Sequence, residues 1–373
     1  MRIGVDASML SGKMTGVPLY VESILKAWQK ECNHGHEVIL YSNRAIESQV
    51  ASAFSQHVTC VKGGGNVWMQ WQLPQQLEQD KVDVFWGGGF RVPLRRQSWM
   101  NVVTIHDLVY RKYPETLPWK HVLHLRAGVP LYLKASQAVL TDAEHTKKDL
   151  LEQYSWLKPP ITVTPLAADS LYFIRKKEAE IRKVREKYRL PPVYDLYVGT
   201  LEPRKGLDTI IDALCILEKK KQLLAPMAWV GKMGWKMETL LPLLQEYGLT
   251  DKVQILEYIA KEDLQCLYQG ARMFVYPSRY EGFGLPVLEA MAGEIPVITS
   301  NASSLPEVAG KAALYIEAGN SAMLAEQMAR LQRQEERQKL ILAGKAQAAS
   351  FSWNRTAAMV MQVLESVWNR AGR

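Results

Sequence analysis

Short apolar runs alternate with amphipathic helical stretches in two successive series, and this alternation limits the possible folds more than any other feature of the chain. The apolar runs of the first series begin at residues 2–7 and end at 161–163, and those of the second begin at 195–199 and end at 297–299. Strands that alternate with helices form parallel sheets with right-handed crossover connections. We therefore predict an α/β protein with two parallel sheets, one built by each series.

A charged stretch followed by two prolines separates the two series. Residues 175–189 are typical of a linker helix, and Pro191 and Pro192 end it. The length of 373 residues also exceeds the size at which a single core usually keeps growing. We predict a first domain over residues 1–168 and a second over 190–350, and we expect an amphipathic C-terminal helix, about 353–373, to pack back on the first domain.

Composition and the N-terminal residues restrict the class of protein. Hydrophobic residues make up 47% and charged residues 23% of the chain, which is typical of soluble globular proteins. No apolar run approaches the roughly 20 residues that a membrane span needs. Asp6 lies where an export signal would be apolar, and the four cysteines lack the spacing of metal ligands. We expect a cytoplasmic protein with reduced thiols, whose net charge of +8 suits an anionic partner.

Two features of the first series each leave two interpretations open. Gly16 ends a loop before a helix, and it either closes a simple turn or lets a diphosphate approach the helix N-terminus. His106 and Asp107 follow an apolar strand that ends at Ile105. A histidine at the carboxyl end of a parallel strand can contact a ligand. Alternatively, the backbone satisfies the histidine and Asp107 caps the next turn.

The second series places two cations and two carboxylates at predicted strand ends. Arg204 and Lys205 follow the strand at 195–199 and precede a helix, an arrangement that suits a diphosphate or, more plainly, an exposed basic loop. Glu281 lies in the loop after the strand at 273–276, and Glu289 lies about one turn into the next helix. Because the carboxyl ends of parallel strands meet at one edge of a sheet, we expect these side chains to converge there.

Residues 91–134 are unusually basic, with interleaved aromatic residues. A helix at 119–136 fits two interpretations: an interfacial helix on an anionic membrane, or an ordinary helix with a solvated basic face. Nucleic-acid binding is not predicted, because no recognised reading module accompanies the charge. The basic residues of this region are Arg91, Arg95, Arg96, Arg111, Lys112, Lys120, Arg126 and Lys134.

The runs at 199–206 and 281–290 together resemble the donor site of glycosyltransferase family 4. These are retaining, nucleotide-sugar-dependent enzymes of the GT-B fold, in which two Rossmann-like domains face each other across a cleft. Glu281 and Glu289 match the E-x7-E motif of that family. The similarity covers nearly the whole chain and is most specific in its second half. Residues 104–115 resemble the corresponding segment of bacterial enzymes that add mannose or related sugars to precursors of surface polysaccharides.

The resemblance implies a role for each matched residue. Arg204 and Lys205 would neutralise the donor diphosphate and stabilise the leaving nucleotide, so that Lys205→Ala would abolish transfer and leave the fold intact. Glu281 would contact the transferred sugar, Glu289 the ribose, and His106 the reaction centre. The catalytic candidates are therefore His106, Arg204, Lys205 and Glu281. Arg204, Lys205 and Glu281 also belong to the donor-binding set, which further includes Gly16, Tyr258, Ile259, Gly282, Phe283, Gly284, Leu285 and Glu289.

The resemblance also implies the reaction and the partners. The first domain would bind the acceptor, a saccharide or a lipid-linked sugar in surface-glycan synthesis, and the second would bind the donor, GDP-mannose first and a UDP-hexose next. The family is described as metal-independent, so no metal or cofactor is expected. The basic region suggests peripheral association with the inner face of the cell membrane. Two alternatives are a GT-B sugar-nucleotide epimerase and an inactive nucleotide-sugar binding protein. The loop at 13–17 departs from the family, because it lacks the usual Gly-Gly pair.

Overall fold

Two parallel sheets, each in its own unit of the chain, organise the protein. The computed structural model describes residues 1–12, 16–31, 35–59, 65–95, 98–234, 237–257, 259–370 and 372. The first unit comprises Met1–Arg111, Trp119–Leu166 and Ser352–Arg373. The second unit comprises Lys112–Pro118 and Ala167–Phe351. The division differs from the predicted boundaries in two places. Residues 112–118, predicted to lie in the first domain, belong to the second unit. Residues 167–189, predicted to end the first domain and form the linker, also belong to the second unit.

The first unit contains a sheet of seven parallel strands. In space they follow the order β3-β2-β1-β4-β5-β6-β7. The order of the strands reverses between β1 and β4, which is where open α/β sheets form a ligand-binding crevice at their carboxyl edge. The strands are β1 (Arg2–Asp6), β2 (Glu37–Ser42), β3 (Ser55–Val58), β4 (Val84–Gly87), β5 (Met100–Ile105), β6 (Ala138–Thr141) and β7 (Ile161–Val163).

Among the residues that the structure describes, six α-helices lie between β1 and β7. A π-helical turn, Trp68–Gln72, joins the second and third of them. The apolar side chains of the first helix are buried, because Val21, Ile24, Leu25 and Trp28 recur at helical spacing. The helices are α1 (Val17–Glu31), α2 (Gly65–Val67), α3 (Leu73–Gln79), α4 (Val109–Lys112), α5 (Trp119–Lys134) and α6 (Glu144–Gln153).

The second unit contains a sheet of six parallel strands in the order β10-β9-β8-β11-β12-β13. The order reverses between β8 and β11, so the segments after these two strands border the same crevice. The strands are β8 (Asp195–Val198), β9 (Met227–Val230), β10 (Val253–Leu256), β11 (Phe274–Tyr276), β12 (Val297–Ser300) and β13 (Ala313–Ile316).

In the described part of the second unit there are eight α-helices. The buried face of α8 is largely aliphatic, with Ile210, Ile211, Leu214 and Leu217 all buried. The helices are α7 (Glu178–Lys187), α8 (Leu207–Lys219), α9 (Leu241–Glu246), α10 (Lys261–Gly270), α11 (Leu285–Ala292), α12 (Leu305–Ala309), α13 (Ser321–Arg330) and α14 (Gln334–Ala349). Across the described ranges of both units, no helix combines the length and apolarity that crossing a bilayer requires.

The last helix, α15 (Trp353–Arg370), belongs to the first unit. The indole nitrogen of Trp28 in α1 donates a hydrogen bond of 3.0 Å to the carbonyl of Ala357. Ala357, Val360 and Leu364 are buried. The first unit is therefore assembled from segments at both ends of the chain.

Candidate functional site

The centre of the site in the second unit is the carboxylate of Glu281, which lies after β11. Lys205 Nζ donates to its two oxygens at 2.7 and 2.8 Å. The Tyr276 hydroxyl and Ser278 Oγ donate to Oε1 at 2.9 and 2.6 Å. Both charged groups are buried, so the ion pair is desolvated and held by short hydrogen bonds. The two residues predicted from separate segments thus meet at the crevice of the sheet.

Arg204 completes this cluster and brings a second carboxylate into it. Its Nη2 donates to Oε1 of Glu202 at 2.5 Å, and its Nη1 lies 3.5 Å from Oε2 of Glu281. Nη1 also donates to the carbonyl of Tyr280. Two cations are therefore balanced by two carboxylates. A diphosphate that binds here would compete with Glu202 and Glu281 for the same donors.

The buried cluster shifts the pKa values of its members. Burial alone would raise the pKa of Glu281, but Lys205 and Arg204 lower that pKa to about 2. Burial lowers the pKa of Lys205 from its usual value, and the charge of Glu281 opposes this shift. Glu281 is consequently ionised at neutral pH. A carboxylate of such low basicity is a poor proton acceptor and a poor general base.

Two glycines shape the backbone around these charges. Gly206, at the start of α8, has φ +75°, and a Cβ there would lie 2.2 Å from the carbonyl oxygen of Pro277. Gly284, at the start of α11, has φ +104°, and a Cβ there would lie 2.7 Å from Leu305. Only glycine adopts these angles at little cost. The chain after β8 can therefore pack directly against the chain after β11.

Glu289 lies in α11 and has different surroundings from Glu281. Its Oε2 accepts a hydrogen bond of 3.1 Å from the Tyr268 hydroxyl. Burial raises the pKa of Glu289 to about 7, although Tyr268 and Lys261 act in the opposite direction. The two glutamates of the E-x7-E motif thus differ in charge state near neutral pH. Glu281 is held as an anion by its partners, and Glu289 carries a proton for part of the time.

Glu289→Gln is expected to stabilise the protein in alkaline solution. The pKa of Glu289 is about 7 in the folded protein and about 4.5 for an ordinary glutamate, so ionisation favours unfolding. Stability is therefore lost as pH rises from about 4.5 through about 7. We expect the variant to be more stable by about 3 kcal/mol at pH 8 and by about 1 kcal/mol at pH 5.

Urea denaturation at both pH values measures this difference in the free energy of unfolding. Glu186→Gln is the matched control, because Glu186 is exposed in α7 of the same unit. An equal gain at pH 5 and pH 8, or an equal gain from the control, would contradict the assignment of a raised pKa to Glu289.

In the first unit, His106 follows β5 and forms a buried pair with Asp142, which follows β6. Nδ1 of His106 lies 2.7 Å from Oδ2 of Asp142, and Nε2 lies 2.9 Å from the carbonyl oxygen of Gly88. Because both neighbours are acceptors, the imidazole donates from both nitrogens when protonated. Burial would lower the pKa of His106, but Asp142 and Gly88 raise it above the usual value. Asp107 accepts from the backbone of Val109 at 2.9 Å, which is the predicted cap.

The remaining predicted residues are placed as follows. Gly16 is exposed with φ +60°, and its carbonyl accepts from the backbone of Tyr20 at the start of α1. Ile259 and Phe283 are buried, and Ser304 Oγ donates to the Phe283 carbonyl at 2.8 Å. Gly282 and Leu285 are half-buried, on either side of Gly284. Tyr258 and loop residues 13–15 lie outside the described residues.

Sequence reasoning missed several residues that hold these groups in place. Tyr276 and Ser278 donate to Glu281, and Ser303 Oγ accepts from the backbone nitrogen of Glu281 at 2.7 Å. Asp142 pairs with His106. A usable signal existed for Asp142, because it follows an apolar strand just as His106 does. The two donors to Glu281 precede it by only a few residues, but nothing in their spacing shows where they point.

Over the part of the chain that the structure describes, no three His, Cys, Asp or Glu side chains are close enough to hold a metal ion together. Cys215 and Cys266 are free thiols, and Cys32 and Cys60 lie outside the described residues.

Comparison with known proteins identifies relatives of this chain. The model of the family described as glycosyl transferases group 1 matches residues 178–347. O-antigen chain mannosyltransferase B of Escherichia coli is 35% identical over 279 residues, which is 74% of this chain and 72% of that protein. The serotype-specific mannosyltransferase WbdA of Escherichia coli is 28% identical over 285 residues, 73% of this chain. That match spans only 34% of WbdA.

A solved structure shows the same fold. The crystal structure of Anabaena Alr3699/HepE in complex with UDP and glucose has a TM-score of 0.73 at 18% identity. The match covers 98% of this chain and 99% of that one. The predicted α/β class with two Rossmann-like domains, GT-B, is confirmed.

Proposed function

The chain belongs to the glycosyl transferases group 1 family, and from that premise we propose that it is a retaining mannosyltransferase of surface-glycan synthesis. The observation that carries the proposal is the buried cluster of Lys205, Arg204 and Glu281 at the crevice of the second sheet. A departing nucleoside diphosphate gains negative charge as its bond to the sugar breaks. Cations that are already in position stabilise such developing charge.

GDP-mannose is the proposed donor, and a UDP-hexose is the second candidate. The name of the Escherichia coli relative supports mannose, because that protein is a mannosyltransferase 35% identical to this chain. The Anabaena structure contains UDP and glucose, which supports a nucleotide ligand for this fold without favouring guanine. In the donor complex, Glu289 would bind the ribose hydroxyls, and the backbone near Tyr258 and Ile259 would face the base.

The environment of Glu281 supports retention through front-face attack. An acid that acted as a nucleophile or a general base would need a free and basic oxygen. Both oxygens of Glu281 accept hydrogen bonds from Lys205, and its pKa is about 2. Glu281 therefore suits hydrogen bonding to the transferred sugar better than covalent catalysis. The acceptor proton would then pass to the leaving phosphate oxygen, while Lys205 and Arg204 hold that phosphate.

Residues of the first unit would complete the reaction centre and bind the acceptor. Gly16 would admit the diphosphate to the N-terminus of α1, and His106 would lie near the donor sugar. Burial would lower the pKa of His106, but Asp142 raises it above the usual value, which suits His106 to supplying positive charge better than to accepting a proton. The proposed acceptor is a saccharide or a lipid-linked sugar at the cytoplasmic face of the membrane. Neither a metal nor a cofactor is part of the proposal.

A panel of nucleotides and nucleotide sugars, followed by product analysis, tests this function. A ligand present at about 100 times its Kd raises the free energy of unfolding by about 2.7 kcal/mol. Since GDP-mannose is the proposed donor, we expect it to raise the melting temperature more than UDP-hexoses do at the same concentration. With an acceptor present, NMR should show an α-mannoside, and EDTA should leave the rate unchanged.

The possible outcomes separate the alternatives. A product with inverted anomeric configuration would contradict retention. A nucleotide sugar altered without any acceptor would indicate an epimerase. If the protein bound none of the nucleoside diphosphates tested, the proposed glycosyltransferase function would be contradicted.

A further inference from the structure

The outward face of α5 exposes large apolar side chains. Trp119 is 70% exposed, Leu123 61% and Leu131 49%. The opposite side of the helix is already packed, since Val122, Val129, Tyr132 and Leu133 are buried. The exposed residues are therefore not needed for the core of the first unit. Apolar side chains clustered on one exposed face are typical of an interaction surface.

Basic residues share this face, and acidic ones are absent from it. The sequence of residues 119–134 contains no Asp or Glu, and Lys120, Arg126 and Lys134 are all exposed. Lys120 Nζ lies 5.6 Å from the centre of the Trp119 ring. Lys134 Nζ lies 5.0 Å from the ring of Trp156, which is itself exposed. Tryptophan beside lysine is the composition of helices that lie in a membrane interface.

A second exposed segment extends the surface. The amide nitrogen of Asn66, in α2, lies 3.4 Å from Nε2 of His124, in α5. The start of α2 is therefore beside α5. Val67 and Trp71, just after Asn66, are more than half exposed. Two neighbouring helical segments thus present apolar side chains to the solvent.

We propose that these residues form a docking surface for an anionic membrane, made of Val67, Trp71, Trp119, Lys120, Leu123, Arg126, Leu131 and Lys134. Tryptophan and leucine side chains would enter the boundary between headgroups and acyl chains. The lysines and the arginine would contact anionic headgroups. The function of the surface rests on the proposed function, because docking would bring the enzyme to a lipid-linked acceptor. The binding itself requires no catalytic activity.

A second copy of the chain fits this surface less well. In a twofold contact the same patch lies on both partners, so the basic residues of one copy, Lys120, Arg126 and Lys134, would face the basic patch of the other. With no acid on the helix, like charges would repel across that contact. Anionic lipid is instead complementary to both the charges and the exposed apolar groups.

Vesicle co-sedimentation of the full chain tests the proposal. The vesicles are either pure phosphatidylcholine or equal parts of phosphatidylcholine and phosphatidylglycerol. Binding is expected only to the anionic vesicles and should weaken as salt increases. The variant Lys120→Gln/Arg126→Gln/Lys134→Gln should lower the partition coefficient about 100-fold. The variant Trp119→Ser/Leu123→Ser should lower it about 10-fold or more.

Matched substitutions on other exposed helices provide the controls. Leu342→Ser replaces a leucine that is 64% exposed in α14, and Lys148→Gln replaces an exposed lysine of α6. Both controls should bind vesicles like the wild type. The proposal is overturned if the wild type ignores anionic vesicles, binds neutral ones equally well, or loses no affinity in the docking variants. A dimer that dissociates in the docking variants, with no vesicle binding, would also overturn it.

Transfer to a water-soluble acceptor without vesicles keeps the two proposals separate. The docking variants should retain the wild-type rate in that assay, because their changes are exposed and lie outside the Lys205 cluster. Normal transfer together with absent vesicle binding would reject only the docking surface. Vesicle binding without transfer to any acceptor would reject only the proposed activity.

Discussion

Lys205→Ala is expected to lower the rate of sugar transfer by at least about 1000-fold and the free energy of unfolding by about 3–5 kcal/mol. The loss of rate follows from the proposed role of Lys205 at the leaving diphosphate. The loss of stability follows from its ion pair with Glu281, because the variant leaves a buried carboxylate without its main counter-charge. The buried ion pair therefore predicts a destabilised fold for this variant, whereas the sequence alone predicts an intact one.

A neutral pair separates the two effects. In Lys205→Met/Glu281→Gln, no charge is left buried alone, and Tyr276 and Ser278 can still donate to the glutamine oxygen. The double variant should recover most of the lost stability, since neutral replacement of a buried ion pair is often tolerated. Transfer should remain abolished.

Urea denaturation and donor turnover, measured on the same preparations, check both expectations. Lys148→Ala removes an exposed lysine of α6 and should change stability by less than about 1 kcal/mol. If Lys205→Ala turned over donor at the wild-type rate, the diphosphate assignment would be wrong. If its stability matched that of the control, the ion pair would not be the desolvated contact described here.

Asp142→Asn is expected to destabilise the protein by about 3 kcal/mol at pH 6. The carboxylate of Asp142 raises the pKa of the His106 imidazole, although burial opposes it. A folded pKa above the ordinary value of 6.5 stabilises the protein fully below pH 6.5, and this contribution is lost as pH rises through the folded pKa. The difference between the wild type and Asp142→Asn should therefore narrow in alkaline solution.

Denaturation curves at pH 6 and pH 9 measure this change, and NMR titration of the His106 ring gives its pKa directly. Asp251→Asn is the control, since Asp251 is exposed beside Lys252. If the difference in the free energy of unfolding widened between pH 6 and pH 9, the pKa of His106 in the folded protein would not be raised. His106 would then be neutral in the folded protein and could not supply a positive charge to the reaction centre.

The central strands of both sheets are predicted from the sequence, whereas one edge strand of each sheet, β3 and β13, is not among the predicted strands. Central strands such as β4 and β8 are buried on both faces and therefore appear as continuous apolar runs. Strand β3, at one edge of its sheet, is mostly exposed, and β13, at the edge of the other, is only partly buried. Strand β3 is largely polar and lacks the apolar pattern of a buried strand, whereas β13, Ala313–Ile316, is a short apolar run that carries this signal.

The sequence predicts at which sheet edge the charged residues of the site lie, but not which of them form ion pairs. The motif placed Lys205 and Glu281 at one sheet edge, where they do meet. Their direct pairing, and that of Arg204 with Glu202, depends on side-chain directions after β8 and β11. Periodicity specifies which edge a residue occupies, and only packing specifies which partner it meets there. The hydrogen bond that Ser278 Oγ donates to Glu281 could not be predicted for the same reason.

The position of α15 determines the order in which the two units can be completed during synthesis. The first unit needs residues 352–373 to cover Trp28, and these residues are synthesised after every segment of the second unit. Every segment of the second unit has been synthesised by Phe351. The nascent chain can therefore finish its C-terminal unit before its N-terminal one, in contrast to the usual N-to-C order of domain folding. Until α15 has been synthesised and has packed, part of the apolar surface of the first unit remains exposed and can bind chaperones.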